Sequence, residues 1–275
     1  GKDDVGKSTC RPLVRKRKNM KVVFIGAGNL ASRAALAFQQ AGVQILQVYS
    51  RTEESAHMLG SKLGGVPYTC DLSAIVPDAD LYIFSVKDEV LEEVIRKVKP
   101  NGALWVHTAG SMPAAVFAGH VERYGVFYPM QTFSKEREVD FSGIPVFVEA
   151  RTPEDTAVLR EYAGKISGRI YEAGSERRKY LHLAAVFACN FTNHMYDLCY
   201  RLLEEQDIPF DVMLPLIDET AAKVHLLAPH DAQTGPAVRY DRNVMERQSA
   251  MLPDEQMKQI YELLSRSIHN ARLKK

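Results

Sequence analysis

The 275-residue sequence contains few cysteines, and their arrangement suggests neither a disulfide framework nor a metal site. They include no CxxC pair and no metal-ligand spacing, and a chain of this length buries enough apolar surface to fold without disulfide bonds. The sequence therefore predicts free thiols, no bound metal and a reducing, cytoplasmic environment. The four cysteines are Cys10, Cys70, Cys189 and Cys199.

Long hydrophobic segments and a strong charge imbalance are absent as well. No apolar run approaches the roughly 20 residues of a membrane-spanning helix, and the apolar segment after the basic residues 11–18 covers only residues 22–25. Lysine and arginine total 35 against 34 aspartate and glutamate, which gives a formal net charge of +1. Because no broad electrostatic field attracts nucleic acid or an anionic membrane, we expect neither as a partner.

Between Met20 and Gly174, short β-branched segments alternate with helical ones, which is typical of a parallel sheet covered by helices on both faces. Strands are predicted at residues 21–25, 44–49, 67–69, 81–86, 103–107, 124–128, 145–149 and 169–172, and helices at 29–41, 52–59, 90–98 and 153–166. Residues 1–19 are polar and lack periodicity, and we expect them to form an N-terminal arm or to be sequence upstream of the natural start. An α/β domain is thus predicted over residues 20–174.

After Gly174 the pattern is helical only, which predicts an all-α domain over residues 175–275. Apolar residues recur at spacings of three and four, which predicts one long helix with a continuous core stripe. Further helices are expected to begin near Pro209 and Pro253, because proline suits a first helical turn. The stripe consists of Leu181, Ala184, Ala185, Ala188, Phe191, Met195, Leu198, Cys199 and Leu202.

The strongest motif is a GxGxxA sequence between the first predicted strand and the first predicted helix. Its first glycine, Gly26, allows a tight turn, its second, Gly28, lets the backbone approach a pyrophosphate, and Ala31 permits close packing of helix on strand. The helix that begins at Asn29 and Leu30 presents free amides to the anion. This context favours dinucleotide binding over a merely structural turn, and it predicts a Rossmann-type domain.

The residues at the end of the second strand indicate which dinucleotide is bound. An NAD-binding domain usually has an acidic residue there, whereas the 2′-phosphate of NADP requires hydrogen-bond donors and positive charge. This sequence has Ser50, Arg51 and Thr52, and no carboxylate until Glu53. We therefore predict NADP as the cofactor, with bidentate binding of the phosphate by Arg51. The alternative is a solvated surface arginine.

The loops after the fourth and fifth strands are expected to border the rest of the cofactor, because ligands bind at the carboxyl edge of a parallel sheet. Val86 and Lys87 are predicted neighbours of the ribose and adenine, although Lys87 is also compatible with a solvated position. Thr108 is predicted at the nicotinamide end. Ser111 follows it and is predicted to bind substrate.

Several segments resemble known families. Residues 21–42 resemble the start of pyrroline-5-carboxylate reductases and other 6-phosphogluconate-dehydrogenase-like proteins. The later segments resemble a bacterial family of Rossmann-like proteins with a helical C-terminal domain of unknown function. Members of that family are described as candidate NADP- or deazaflavin-dependent oxidoreductases. The matching segments are residues 107–111, 128–133 and 184–190, and the Thr-Gly-Pro motif at residues 234–236 with Arg239 and Asp241. The resemblance implies the fold, NADP use and a helical domain that forms a homodimer.

The sequence departs from the related hydroxyacid dehydrogenases at two positions. In those enzymes a lysine lies on the long helix four residues before an asparagine and exchanges a proton with the substrate. Asn190 matches the asparagine, but Val186 occupies the lysine position. Tyr128 replaces the histidine that usually precedes the Pro-Met-Gln segment. The sequence therefore argues against a classical alcohol-to-ketone reaction through that lysine.

Two groups in the helical domain are candidates for catalysis. On a continuous α-helix His182, Cys189 and Asn193 lie within about 40° of one another, with Asn190 at the edge of the same face. His182 is the candidate general acid; the alternative is a structural histidine at a dimer or interdomain contact.

Arg239 is the candidate clamp for a substrate carboxylate, held in place by Asp241. The alternative is a turn fixed by glycine and proline with a surface ion pair.

Together these features predict hydride transfer from NADPH to a small carbonyl or imine substrate bound between the domains. The residues predicted near the substrate are Thr108, Ser111, Met130, Thr132, His182, Asn190 and Arg239. The rival hypothesis is an NADP-sensing or regulatory protein without catalysis, which the missing lysine favours.

Overall fold

The computed structural model describes residues 20–134 and 137–274, so the arm predicted for residues 1–19 lies outside the described residues. An eight-stranded sheet forms in the first part of the chain, in the order β3-β2-β1-β4-β5-β6-β7-β8. Its strands are β1 (Lys21–Ile25), β2 (Gln44–Tyr49), β3 (Tyr68–Thr69), β4 (Leu81–Phe84), β5 (Leu104–His107), β6 (Tyr124–Pro129), β7 (Val146–Ala150) and β8 (Ile170–Glu172). The predicted strands are confirmed with small shifts at their ends.

The sheet is mostly parallel, as the alternating pattern predicts. Strands β1 to β6 run parallel, β7 pairs with β6 in the antiparallel direction, and β8 runs parallel to β7. The chain builds outwards from β1 through β2 to β3 and then crosses to β4 on the other side of β1. The order of strands therefore reverses between β1 and β4, which is where ligands bind in open α/β sheets.

Helices cover both faces of this sheet. They are α1 (Asn29–Gln40), α2 (Glu53–Lys62), α3 (Asp88–Lys97) and α4 (Pro153–Ile166). One apolar layer combines α1, α2 and α4 with the sheet around Phe38, and the other combines α3 with Trp105 and Phe117. Because strands buried on both faces read as continuous apolar runs, β4 and β5 show no alternation.

The chain divides into two compact units, the first reaching Cys189 and the second starting at Asn190. The division lies beyond the predicted boundary after Gly174, because α5 (Ser175–Ala185) belongs to the first unit. Arg178 on α5 is fully buried and forms an ion pair with Glu149 of β7 at 2.5 Å, so α5 is anchored to the sheet.

The single long helix predicted after Gly174 is instead three consecutive segments. A π-helical stretch, Val186–Phe191, separates α5 from α6 (Thr192–Glu204). The predicted core stripe is wrong for the isolated chain, because none of its nine residues is buried and Ala184, Ala188 and Phe191 are exposed. The apolar periodicity is present, but the other residues of this chain cover that face only in part.

The second unit consists of helices with a small core in the isolated chain. After α6 it contains α7 (Leu214–Lys223), α8 (Pro229–Ala232), α9 (Pro236–Arg239), α10 (Arg242–Ala250) and α11 (Glu255–Leu273). Ala237 of α9 and Met257 of α11 are its buried apolar residues. Among the described helices, none is both long enough and apolar enough to cross a membrane.

Candidate functional site

The first glycine of the GxGxxA motif is required by its contacts within the protein. Gly26 has a φ of 122°, and a Cβ atom at this position would lie 2.1 Å from the backbone oxygen of Ser85. The Gly26 N–H donates to the Tyr49 carbonyl at 2.9 Å, so the loop is held between β2 and the end of β4. A side chain here would force the two loops at the switch point apart.

The second glycine borders open space. A Cβ atom at Gly28 would meet no protein atom within 4 Å, and Gly28 precedes α1 without a capping side chain. The first turn of α1 contains no acidic residue, so its free amides and partial positive charge remain available to an anion. Ala31 is fully buried, which agrees with the close packing expected of it, and Leu30 is half-buried.

The end of β2 provides donors and positive charge. The Ser50 N–H donates to the Thr69 carbonyl, whereas the Thr52 hydroxyl donates to Ser55 Oγ at 2.9 Å. Arg51 is exposed, and within the described part of the chain its guanidinium has no hydrogen bond or ion pair. These groups fit the 2′-phosphate of NADP, because they supply donors at the strand end, where an NAD-binding domain usually has an acidic residue.

The ends of β4 and β5 are joined by side-chain hydrogen bonds. The Thr108 hydroxyl donates to Ser85 Oγ at 3.2 Å, and the Ser111 hydroxyl donates to the Asp88 carboxylate. Of the residues predicted to face the ribose, Val86 is half-buried, and Lys87 is exposed immediately before α3. Thr108 and Ser111, which were predicted near the nicotinamide and the substrate, thus join the loop after β5 to the loop after β4.

His107, at the end of β5, is fully buried and has a structural role. The Ala109 N–H donates to its Nδ1 at 3.1 Å, and its Nε2 lies 3.1 Å from the Pro113 carbonyl oxygen. This network assigns the neutral tautomer with the proton on Nε2. Burial, with a smaller contribution from the nearby Arg178 guanidinium, lowers the pKa of His107 to about 4. His107 therefore shapes the loop that carries Thr108.

His182 lies against the same loop. A Cβ atom at the buried Gly110 would lie 2.6 Å from His182 Nδ1, so the imidazole packs directly on the glycine backbone. His182 Nδ1 is also 3.2 Å from the Tyr128 hydroxyl at the end of β6. The structure thus brings the candidate general acid to the carboxyl end of the sheet, beside the position expected for the nicotinamide.

Sequence reasoning missed a buried polar cluster around Arg178. The Arg178 guanidinium donates to Glu149 and to the Met112 carbonyl, and the Ser175 hydroxyl donates to Glu149 Oε2 at 2.9 Å. Ser175 Oγ in turn accepts the Ala114 N–H at 3.1 Å. The cluster fixes α5 to the loop after β5. Arg178 lies within a charged run of the sequence, so no local pattern distinguished it from solvated neighbours.

The two substrate residues predicted after β6 lie in a loop with two anchors. The Met130 N–H donates to the Pro145 carbonyl at 2.9 Å, and Met130 packs in the cluster that contains Tyr128. The Asn29 side chain donates to the Phe133 carbonyl at 3.1 Å, which ties the loop to the glycine motif. Thr132 is exposed between these anchors.

The candidates in the second unit are arranged differently from the prediction. Asp241 accepts the Val244 N–H at 3.3 Å and caps α10, and its predicted ion pair with Arg239 is not formed among the described residues. A helix-capping position competes for the carboxylate that the prediction assigned to the guanidinium. Arg239 and Asn190 are exposed.

The prediction that His182, Cys189 and Asn193 share a polar face holds only for a continuous α-helix. The π segment Val186–Phe191 interrupts that helix and changes the angular position of every residue that follows. The predicted face is therefore not supported. In the portion of the chain that the structure describes, no group of three or more histidine, cysteine or acidic residues forms a potential metal site.

Comparison with protein families places two models on the chain. A model for coenzyme F420-dependent NADP oxidoreductases matches residues 21–109. A model for a domain of unknown function (DUF2520) matches residues 144–268. A comparison with curated proteins gives no match.

Comparison with solved structures gives matches over nearly the whole chain. A candidate NADP oxidoreductase from Bacteroides fragilis is 57% identical, with a TM-score of 0.85, over 92% of this chain and 98% of that protein. A protein from Thermotoga maritima is 22% identical, with a TM-score of 0.73, over 90% and 99% of the two chains. An imine reductase from Myxococcus stipitatus, solved with NADP+, is 17% identical, with a TM-score of 0.66, over 92% and 93%. The last two share the fold.

Proposed function

The chain belongs to a family of candidate NADP oxidoreductases in which a Rossmann domain precedes a helical domain of unknown function, and from this we propose that it reduces a small imine or carbonyl compound with NADPH. The observation that carries the proposal is the open approach to Gly28 together with the exposed guanidinium of Arg51, which has no partner among the described residues. The first suits a diphosphate, and the second suits the extra phosphate that distinguishes NADP from NAD.

NADPH supplies the hydride when it is bound. The amides at the start of α1 bind its diphosphate, and Arg51 with the Ser50 hydroxyl binds the 2′-phosphate. The Thr52 hydroxyl joins them by rotating its proton from Ser55 Oγ to the phosphate. His182 is exposed above Gly110 and holds a proton for the nitrogen or oxygen atom of the substrate. An imine substrate is further supported by fold, because an imine reductase is among the structural relatives.

The cofactor assignment is tested by calorimetry with NADPH and NADH. Arg51→Ala removes charge-assisted hydrogen bonds worth about 1.5–3 kcal/mol, so NADPH binding should weaken by roughly 10- to 100-fold while NADH binding stays constant. Arg96→Ala removes an exposed arginine from the last turn of α3 and is the matched control. An Arg51→Ala protein with the wild-type preference for NADPH would refute the assignment.

Turnover is tested with a panel of cyclic imines and keto acids, by following NADPH oxidation. Stereospecific oxidation with any member of the panel supports the enzyme. The rival proposal, an NADP-sensing protein, is favoured by Val186 at the position where related enzymes have a catalytic lysine. NADPH binding without turnover of any panel member would support that rival.

We further propose that the second unit forms a homodimer. Its isolated helices expose large apolar side chains, including Leu226 at 85%, Met251 at 80% and Leu216 at 62% exposure. Large exposed apolar patches on soluble proteins mark interaction sites, and these side chains would be covered in a dimer. Analytical ultracentrifugation should give a dimer at micromolar concentration, and a monomeric mass there would contradict the proposal.

A further inference from the structure

Tyr128 and His182 form a hydrogen-bonded pair of residues that lie far apart in the sequence. The Tyr128 hydroxyl is 3.2 Å from His182 Nδ1, and the two rings meet edge to face with centroids 6.2 Å apart. Tyr128 is 8% exposed, whereas His182 is exposed. The tyrosine therefore lies on the protein side of the imidazole, and the histidine lies on the solvent side.

The orientation of the imidazole follows from its contact with Gly110. The His182 atoms nearest to a Cβ built on Gly110 are Nδ1, Cγ and Cβ, at 2.6, 2.8 and 2.9 Å. The Nδ1 edge of the ring thus faces both the Gly110 backbone and the Tyr128 hydroxyl. Nε2, on the opposite edge, is the nitrogen left to meet a substrate. Any side chain at Gly110 would displace the ring from this position.

Tyr128 has the chemistry to serve this histidine in both of its protonation states. Burial raises the pKa of the Tyr128 hydroxyl, and the nearby Arg178 guanidinium offsets only part of that rise. The group therefore stays a neutral hydroxyl, which can donate one hydrogen bond and also accept hydrogen bonds. It accepts from Nδ1–H when the imidazole carries that proton, and it donates to Nδ1 when the imidazole does not.

We propose that Tyr128 is a positioning residue that keeps Nδ1 of His182 engaged, so that Nε2 alone delivers the proton to the reduced substrate. This inference rests on the proposed function. In the step, the hydride adds to the carbon of the C=N or C=O bond, and the π electrons move to the nitrogen or oxygen. That atom takes the proton from Nε2 of the His182 imidazolium. The neutral imidazole keeps its Nδ1 proton on the Tyr128 oxygen and regains the other proton from water.

The test compares Tyr128→Phe with Tyr124→Phe. Tyr124 lies on the same strand, and no hydrogen bond of its hydroxyl is found in the described residues, so its variant is a matched control. NADPH affinity should be unchanged in both variants, because neither residue belongs to the predicted cofactor site. This binding measurement separates failure of the inference from failure of the proposed function.

The first readout is the imidazole nitrogen spectrum of protein labelled with ¹⁵N-histidine, which needs no substrate. The His182 signals are identified by their loss in His182→Asn. The Nδ1 signal should move in Tyr128→Phe and stay in place in Tyr124→Phe. An unmoved Nδ1 signal in Tyr128→Phe would overturn the inference.

The second readout is turnover with whichever panel substrate is active. Loss of an orienting hydrogen bond behind a reacting imidazole should lower kcat by roughly tenfold with KM unchanged, by analogy with partners that orient metal-bound histidines. Wild-type kcat in Tyr128→Phe would overturn the inference even if the Nδ1 signal moved, since the contact would then have no part in proton delivery.

Discussion

The buried His107 makes the stability of the first unit depend on pH. Its Nδ1 accepts the Ala109 N–H, so a proton on that nitrogen would both break the hydrogen bond and place a charge in the interior. Burial accordingly lowers the pKa of His107 from 6.5 to about 4. Acid is therefore the perturbation that exposes the role of this side chain.

The sign and size of the effect follow from the difference in bound protons. Above pH 6.5 the imidazole is neutral in both the folded and the unfolded chain and contributes nothing to the pH dependence. As the pH falls from 6.5 to about 4, the unfolded chain binds a proton that the folded chain does not. Stability then falls by up to about 1.4 kcal/mol per pH unit, or about 3 kcal/mol over the whole window.

The assay is urea unfolding followed by the fluorescence of Trp105, the single tryptophan, which is fully buried on the same strand as His107. Wild type is compared with His107→Gln, which keeps a donor for the Pro113 carbonyl but does not titrate. Carboxylates that titrate in this range affect both proteins alike. Wild type should lose about 3 kcal/mol more than the variant across the window. Parallel pH profiles of the two proteins would refute the assignment of the neutral histidine.

Three further substitutions distinguish structural from functional positions. Gly26→Ala should cost more than about 2 kcal/mol of unfolding free energy, since φ is positive and the methyl group meets Ser85. Gly28→Ala should leave the urea midpoint unchanged and weaken NADPH binding, and a lowered midpoint would contradict the open site. Arg178→Met removes the cationic partner of the Glu149 carboxylate and should cost about 3–5 kcal/mol, against little change for the exposed Arg177→Met.

The parallel sheet and the glycine motif could be predicted because their signals are local. A strand buried on both faces needs an uninterrupted apolar run, as in β4. A helix that packs on such a sheet needs apolar residues at spacings of three and four. The GxGxxA motif adds a backbone requirement that is visible in the sequence itself. The structure refines one role: Gly26 is required by its contact with Ser85, and Gly28 is the position with an open approach.

The contacts of His182 could not be predicted, because they join distant parts of the chain. Tyr128 and His182 are 54 residues apart, and Gly110 lies on a third element. The sequence indicated a histidine on a polar helix face, but the prediction of that face required a regular α-helix. The π segment Val186–Phe191 has no sequence signal comparable to proline or glycine, so the angular relation to Asn193 could not be predicted.

The apolar pattern of the second unit predicts that its apolar side chains are buried. It does not predict whether the same chain or a second copy buries them. Burying one leucine or methionine side chain stabilises by about 1.5–3 kcal/mol, so covering Leu216, Leu226, Met251 and Leu263 would contribute on the order of 6–12 kcal/mol. Association itself costs roughly 4–15 kcal/mol. Covering these four side chains alone would therefore barely hold two chains together. A stable homodimer must cover most of the apolar surface of this unit, and the same burial would complete the core that the isolated helices lack.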